Sequence, residues 1–163
     1  MLEIKKNPNP ILRKKCEPIK RIDDKVRFLA KEMLETMYKG HGVGLAGPQV
    51  GVSKNIFVID AHKGPLVIIN PEIVEFSENK KTMLEGCLSV PGTDIDIERP
   101  EKIKLVYQDE TGQKKELSAS GLTARVVQHE YDHLFGRLIV DYQGFWERLK
   151  GKNSKIITKK DNV

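Results

Sequence analysis

Apolar residues recur at Val26, Leu29, Ala30, Met33 and Met37, the three-and-four spacing of one helix face. An aspartate at position 23 or 24 offers an N-cap for such a helix, and Gly40 ends it. The pattern then changes. Gly40-His41-Gly42-Val43-Gly44-Leu45-Ala46-Gly47-Pro48-Gln49 carries too many glycines for a stable helix or a long strand. Short β-branched runs at 55–60 and 66–70 flank a turn at His62-Lys63-Gly64-Pro65, and 71–76 continues extended. Across 102–108, Ile103, Leu105 and Tyr107 alternate with Lys104 and Val106, and Asp109-Glu110-Thr111-Gly112 turns the chain back into 113–118. A second helix is expected over 122–135, closed by Gly136, then a strand over 137–141 and a short last helix over 145–150. This order predicts an α+β fold of mostly antiparallel strands around a central helix, with a further helix near the N-terminus. A single catalytic domain over 1–163 is expected, since no repeat or interdomain linker breaks the pattern.

Composition narrows the class. With 163 residues and 39% hydrophobic content the chain can bury a core without disulfide staples. No segment approaches the roughly 18 consecutive apolar residues of a membrane span. The first residues, Met1-Leu2-Glu3-Ile4-Lys5-Lys6, lead into no apolar signal region, and Cys16 and Cys87 form no C-x-x-C pair. A cytoplasmic, reducing location is therefore expected, with no membrane partner and Cys87 free to act as a thiolate. The formal charge of +5 is uneven. From Trp146 to Val163 six basic residues face only Glu147 and Asp161, a net +4 in the tail. Such a tail can meet an anionic surface such as ribosomal RNA, or serve only to solvate the terminus; without interleaved aromatics it does not suggest DNA or base-stacking readout.

The densest chemistry lies in Gln128-His129-Glu130-Tyr131-Asp132-His133. On a helix, His129 and His133 stand one turn apart on one face, where both imidazoles can hold one metal ion. Glu130 is then placed to handle the proton of an activated water. Leu122, Val126, Val127 and Leu134 make much of the same helix apolar, and buried imidazoles need compensation that a cation supplies. Catalytic sites of this kind take three protein ligands. Ile139 stands where a third histidine of the extended motif would fall, which leaves Cys87, in Glu85-Gly86-Cys87-Leu88-Ser89, as the best third donor.

Gly42-Val43-Gly44-Leu45-Ala46-Gly47-Pro48-Gln49, Glu85-Gly86-Cys87-Leu88-Ser89 and Gln128-His129-Glu130-Tyr131-Asp132-His133 together resemble the three ordered motifs of the peptide deformylases. The chain departs from that pattern once, with Ala46-Gly47 where the family usually has two alanines; the lost methyl is expected to loosen the loop slightly. The resemblance implies a metallohydrolase that removes the formyl group from the N-formylmethionine of newly made proteins and releases formate. It implies Cys87, His129 and His133 as ligands of one divalent ion, Fe(II) in the cell, with Zn(II), Co(II) or Ni(II) as alternatives. It makes Glu130 the acid–base residue, and Gln49 and the backbone N–H of Leu88 the oxyanion donors. Val43, Met83, Leu122 and Val126 are the expected methionine pocket, joined as substrate-binding residues by Gly44, Glu85 and Gly86. Glu85 is expected to pair with Arg99 and brace the cysteine loop.

Three other readings share some of these residues. An H-E-x-x-H zinc peptidase leaves Gln49 and the Cys87 segment without a role. A cysteine hydrolase with Cys87 as nucleophile leaves the histidine pair without one. A non-catalytic metal- or RNA-binding module gives Glu130 nothing to do.

Overall fold

A computed structural model describes residues 1–144. The expected helix over 145–150 and the basic tail lie outside them. The first helix, α1 (Asp24–Lys39), begins as its pattern predicts: the Asp23 carboxylate accepts from the Val26 N–H, and Gly40 forms the C-cap. The glycine-rich run yields only a three-residue strand, β1 (Gly44–Ala46), and a 3₁₀ turn (Gly47–Val50). β2 (Ile56–Ile59) and β3 (Leu66–Phe76) follow, the latter joining both extended runs of the sequence reading. After them come β4 (Lys80–Cys87), β5 (Val90–Pro100), β6 (Lys102–Gln108) and β7 (Lys114–Ser120), then the second helix, α2 (Gly121–Leu134).

Strands β1-β2-β3-β6-β7 make one sheet in that order, and β4-β5 make a separate ribbon; each pairing is antiparallel. The α+β expectation therefore holds. All four residues of β2 are buried because the large sheet is covered on both faces. Phe57 and Ile59 pack into the cluster with Val126, Val127 and Leu134 of α2, while Ile56 and Val58 pack with Met33 and Met37 of α1. Period-two alternation thus sends successive side chains into two different cores. Helix α2 lies between the sheet and the ribbon, whose Val90, Ile95 and Ile97 pack with Ile139. That placement puts the Glu130 helix beside both the glycine strand and the cysteine ribbon.

Two expectations need correction. Residues 137–141 form no strand; Ile139–Tyr142 is a 3₁₀ turn. The Asp141 carboxylate takes the Leu138 N–H at 2.9 Å and pairs with Arg13 at 2.6 Å, so local capping overrides the apolar run. The ribbon itself was not foreseen. Val90-Pro91-Gly92 belongs to β5 despite its turn-forming residues, and the hairpin turns at Leu88-Ser89.

The β6–β7 hairpin turns on Asp109. Its Oδ1 accepts from Thr111 Oγ1 at 2.6 Å, Thr111 N at 2.9 Å and Gln113 N at 3.1 Å, and Oδ2 faces Lys115. The Thr111 hydroxyl first, then Lys115 and the two N–H donors, hold its carboxyl down at about 2, against an ordinary 3.8. A pKa depressed in the folded state gives stability that is present above the ordinary value and lost as pH falls towards the folded one. Asp109→Ala is thus expected to lower Tm at pH 7, and the gap from the native protein should close between about pH 4 and 2 in circular-dichroism melts. A gap independent of pH would contradict this role.

Candidate metal centre

Cys87 ends β4 just past a register shift at Glu85/Cys87. At Gly86 a Cβ would lie 2.7 Å from Asp94 Oδ1, so the absence of a side chain lets this end of the ribbon close. His129 and His133 project from α2 one turn apart, as their spacing predicts. Their Nε2 atoms are 3.3 Å apart, Cys87 Sγ is 3.5 Å from His133 Nε2, and the three donor atoms all lie within 4.8 Å of one another. A tetrahedral ion about 2.0–2.1 Å from nitrogen and about 2.3 Å from sulfur would set its ligand atoms roughly 3.3–3.6 Å apart. The donor set fits such an ion.

The electrostatics fit as well. Burial opposes charge on His129, yet Cys87 and Glu85 beside it outweigh that and raise its pKa to about 10. The space among the donors therefore favours positive charge. Burial, then the neighbouring His129 and Arg99, hold His133 neutral, the form that donates a lone pair. Burial also works to raise the pKa of Glu85, but hydrogen bonds with His129 and Arg99 win and bring it to about 2. Because an ionised carboxylate only accepts, His129 Nδ1 must be the donor across its 2.9 Å contact with Glu85 Oε1. That leaves Nε2 facing Cys87 and His133, and an ion taking the place of its proton there would complete a carboxylate–histidine–metal triad.

Glu85 and Arg99 pair as the sequence reading expects, at 2.6 Å from Nε and 3.0 Å from Nη2. Three partners were not foreseen. Arg125 also donates to Glu85 Oε2, while Arg99 Nη1 reaches Asp132 at 3.0 Å and the Tyr142 hydroxyl at 3.3 Å. Arg125 stands four residues before His129, so the helical period alone places it on the histidine face. Glu85 is thus held by its carboxylate inside the structure, although it also borders the cavity.

Glu130 is 3% exposed, and its Oε2 has no hydrogen-bond partner among the described residues. Burial raises its pKa to about 7. Such an orphaned carboxylate oxygen beside a cation site is poised for a proton. Gly44 makes the room: a Cβ there would lie 2.8 Å from both Cγ and Cδ of Glu130. Gln49 is 1% exposed, and its Oε1 accepts from Ala46 N at 2.8 Å. That bond fixes the flip of the amide. Nε2 therefore donates to Ser89 Oγ at 3.1 Å and lies 3.6 Å from Cys87 Sγ. Leu88 packs its side chain on the glycine loop, with Cδ1 2.8 Å from where a Cβ at Gly42 would be.

A cavity of about 380 Å³ opens against these groups. Val43, Gly44, Met83, Glu85, Gly86, Leu122 and Val126 all line it, with Gln49, Cys87, Leu88, His129 and Glu130. His41, Leu84 and Arg125 border it too, unpredicted.

Comparison with known proteins identifies this constellation. The family model described as polypeptide deformylase matches residues 1–148. The chain belongs to the polypeptide deformylase family. A peptide deformylase from Picosynechococcus is 49% identical over 145 residues, covering 86% of this chain and 78% of the relative. One from Dictyoglomus thermophilum is 51% identical over 139 residues, covering 85% and 90%. Among solved structures, the Thermotoga maritima deformylase superposes with a TM-score of 0.87 at 44% identity, covering 88% of this chain and 98% of that one. The Synechococcus elongatus deformylase, solved with actinonin, gives 0.89 at 42% identity, covering 94% and 85%. This decides for a metal-dependent hydrolase of the deformylase type over the zinc-peptidase, cysteine-hydrolase and non-catalytic readings.

The departure at Gly47 needs a different account from the one expected. A Cβ there would meet the backbone oxygens of Val52 at 2.6 Å and Lys54 at 2.9 Å. Losing the methyl does not loosen the loop; it lets the 52–54 segment close onto the turn that carries Gln49.

Removing one partner of a buried ion pair leaves the other charge uncompensated, at a cost of about 3–5 kcal/mol. Arg99→Ala takes the nearest cation from Asp132 and leaves Glu85 only Arg125 and His129, and urea unfolding is expected to show a loss of up to that order. A variant as stable as the native protein would contradict the bracing role.

Proposed function

We propose that Cys87, His129 and His133 hold one divalent ion and that Glu130, Gln49 and the Leu88 N–H act with it to remove the formyl group from N-formylmethionyl ends of nascent peptides. The observation that carries this reading is the convergence of one sulfur and two nitrogens at ion-binding distances beside a buried carboxylate oxygen without a partner. When bound, the ion supplies Lewis acidity, polarising the formyl carbonyl and lowering the pKa of a water molecule.

The chain's own residues supply the rest. Glu130 takes the proton from the attacking water and later delivers it to the departing amine, so formate and a free N-terminal methionine leave together. Its pKa of about 7 suits a group that must both accept and return a proton near neutrality. The Gln49 amide, with its flip fixed by Ala46, and the Leu88 N–H donate to the oxygen on which charge develops. Each such donor is worth about 2.7–4 kcal/mol of transition-state stabilisation. Val43, Met83, Leu122 and Val126 receive the methionine side chain. The strands that border the cavity at Gly44 and Gly86 offer main-chain groups to an extended peptide without regard to its sequence.

A thiolate with two imidazoles suits borderline divalent metals; Fe(II) is the proposed working ion, with Zn(II), Co(II) and Ni(II) also accommodated. The body of the chain acts as one catalytic domain in a reducing cytoplasm. Its basic end is proposed to approach the ribosome surface, so truncation at Lys150 should weaken cosedimentation with ribosomes; unchanged cosedimentation would leave the tail a solvating role.

The decisive variant is Glu130→Ala. Formate release from formyl-Met-Ala-Ser, measured anaerobically with Fe(II)-loaded protein, should fall by about 10²–10⁴-fold, the usual weight of one general acid–base group. Metal content by atomic absorption should stay near one ion per chain. Turnover close to native would overturn the role of Glu130.

A further inference from the structure

We propose that Arg125 is a positioning residue that sets Cys87 at ligating distance from His129 and His133, an inference that rests on the ligand set proposed above. The ribbon carrying Cys87 has no hydrogen-bonded ladder to the five-stranded sheet. Among the described residues the backbone bond that ties α2 to the end of the ribbon, Gly121 N to the Glu101 carbonyl, lies at the start of the helix, away from the two histidines. Beside the histidines, the hydrogen bonds between helix and ribbon are made by side chains.

Among the described residues, four α2 side chains make that crossing besides His133, whose contact is with Cys87 itself. Gln128 Nε2 donates to the Pro100 carbonyl at 3.0 Å, His129 meets Glu85, and Asp132 receives Arg99. Arg125 alone of the four bonds the backbone of both strands. Its Nη2 donates to the Lys81 carbonyl on β4 at 2.6 Å, and its Nη1 to the Ile97 carbonyl on β5 at 2.9 Å. The same Nη1 donates to Glu85 Oε2, two residues before Cys87, while the other oxygen of that carboxylate orients His129. One guanidinium thus ties both strands, the carboxylate that aims the first histidine, and the helix that carries both histidines.

The geometry calls for arginine. A planar fork can serve two carbonyls and a carboxylate in different directions, whereas a lysine ammonium offers its donors from a single point. Arg125 is 6% exposed, and each hydrogen bond recorded for its guanidinium goes to the ribbon, although it also borders the cavity. Its effect on the reaction runs through the ligands.

The test uses full-length protein loaded with Co(II), whose thiolate charge-transfer band reports the sulfur ligand. Chelator competition gives the affinity. Partners of metal ligands typically control affinity by about 10–100-fold. Arg125→Met is expected to weaken Co(II) binding by that factor and to shift or diminish the charge-transfer band, with Arg125→Lys in between. Asp109→Ala, in the remote β6–β7 hairpin, serves as the control for lost stability and should keep native affinity. Native affinity and band in Arg125→Met, or weakening no greater than in an equally destabilised Asp109→Ala, would overturn the proposal. If the methionine variant does not fold, Arg125→Lys decides by the same readouts: weakened binding supports positioning, unchanged binding overturns it. Absence of the charge-transfer band in the native protein is a separate failure, that of the ligand set itself.

Discussion

Glu85 is buried with its carboxylate shared among Arg99, Arg125 and His129. An ionised carboxylate in that position is costly to desolvate, and its stability rests wholly on the geometry of those three partners. In return it holds together parts that no ladder joins. Arg99 comes from the ribbon, Arg125 and His129 from the helix, and Asp132 and Tyr142 extend the network to the last 3₁₀ turn. The aim of His129 follows from this arrangement, and Glu85 joins Cys87 in favouring positive charge between the histidines.

The same carboxylate explains why one part of the fold was hard to read. β4 exposes Leu84 at 49% and buries Glu85 at 6%, the reverse of what hydrophobicity predicts for a half-buried strand. A charge is inside because two arginines meet it there, and those arginines come from distant positions that strand periodicity does not register. Pro91 and Gly92 hid β5 in a similar way, since both are turn residues that a two-stranded ribbon can still accept. Elsewhere local signals agreed with tertiary structure. Asp23 caps α1, Asp109 turns the β6–β7 hairpin, and Phe57 and Ile59 alternate with Ile56 and Val58 between two cores. The three proposed ligands were legible for a simple reason: helical spacing puts two of them on one face, and the three ordered motifs single out the third. Arg125 carried the same i, i+4 signal but drew no notice, because arginine on a helix is usually a solvated residue.

Glycines divide the work of the first motif between them. Gly44 leaves space for the Glu130 carboxylate, and Gly42 leaves space for Leu88. Gly47, where this chain departs from the usual alanine, gives its space to the backbone of Val52 and Lys54 instead. Gln49 is consequently held in a turn closed from one side by that segment and fixed on the other by the Ala46 N–H. An amide with a fixed flip is pre-organised, which is where oxyanion donors gain their effect.

X-ray absorption at the metal edge of the zinc-loaded protein tests the central claim most directly, because it counts the donors without passing through activity. The account predicts a first shell with one sulfur at about 2.3 Å and two imidazole nitrogens at about 2.0–2.1 Å. A shell of nitrogen and oxygen alone, with no sulfur, would contradict it.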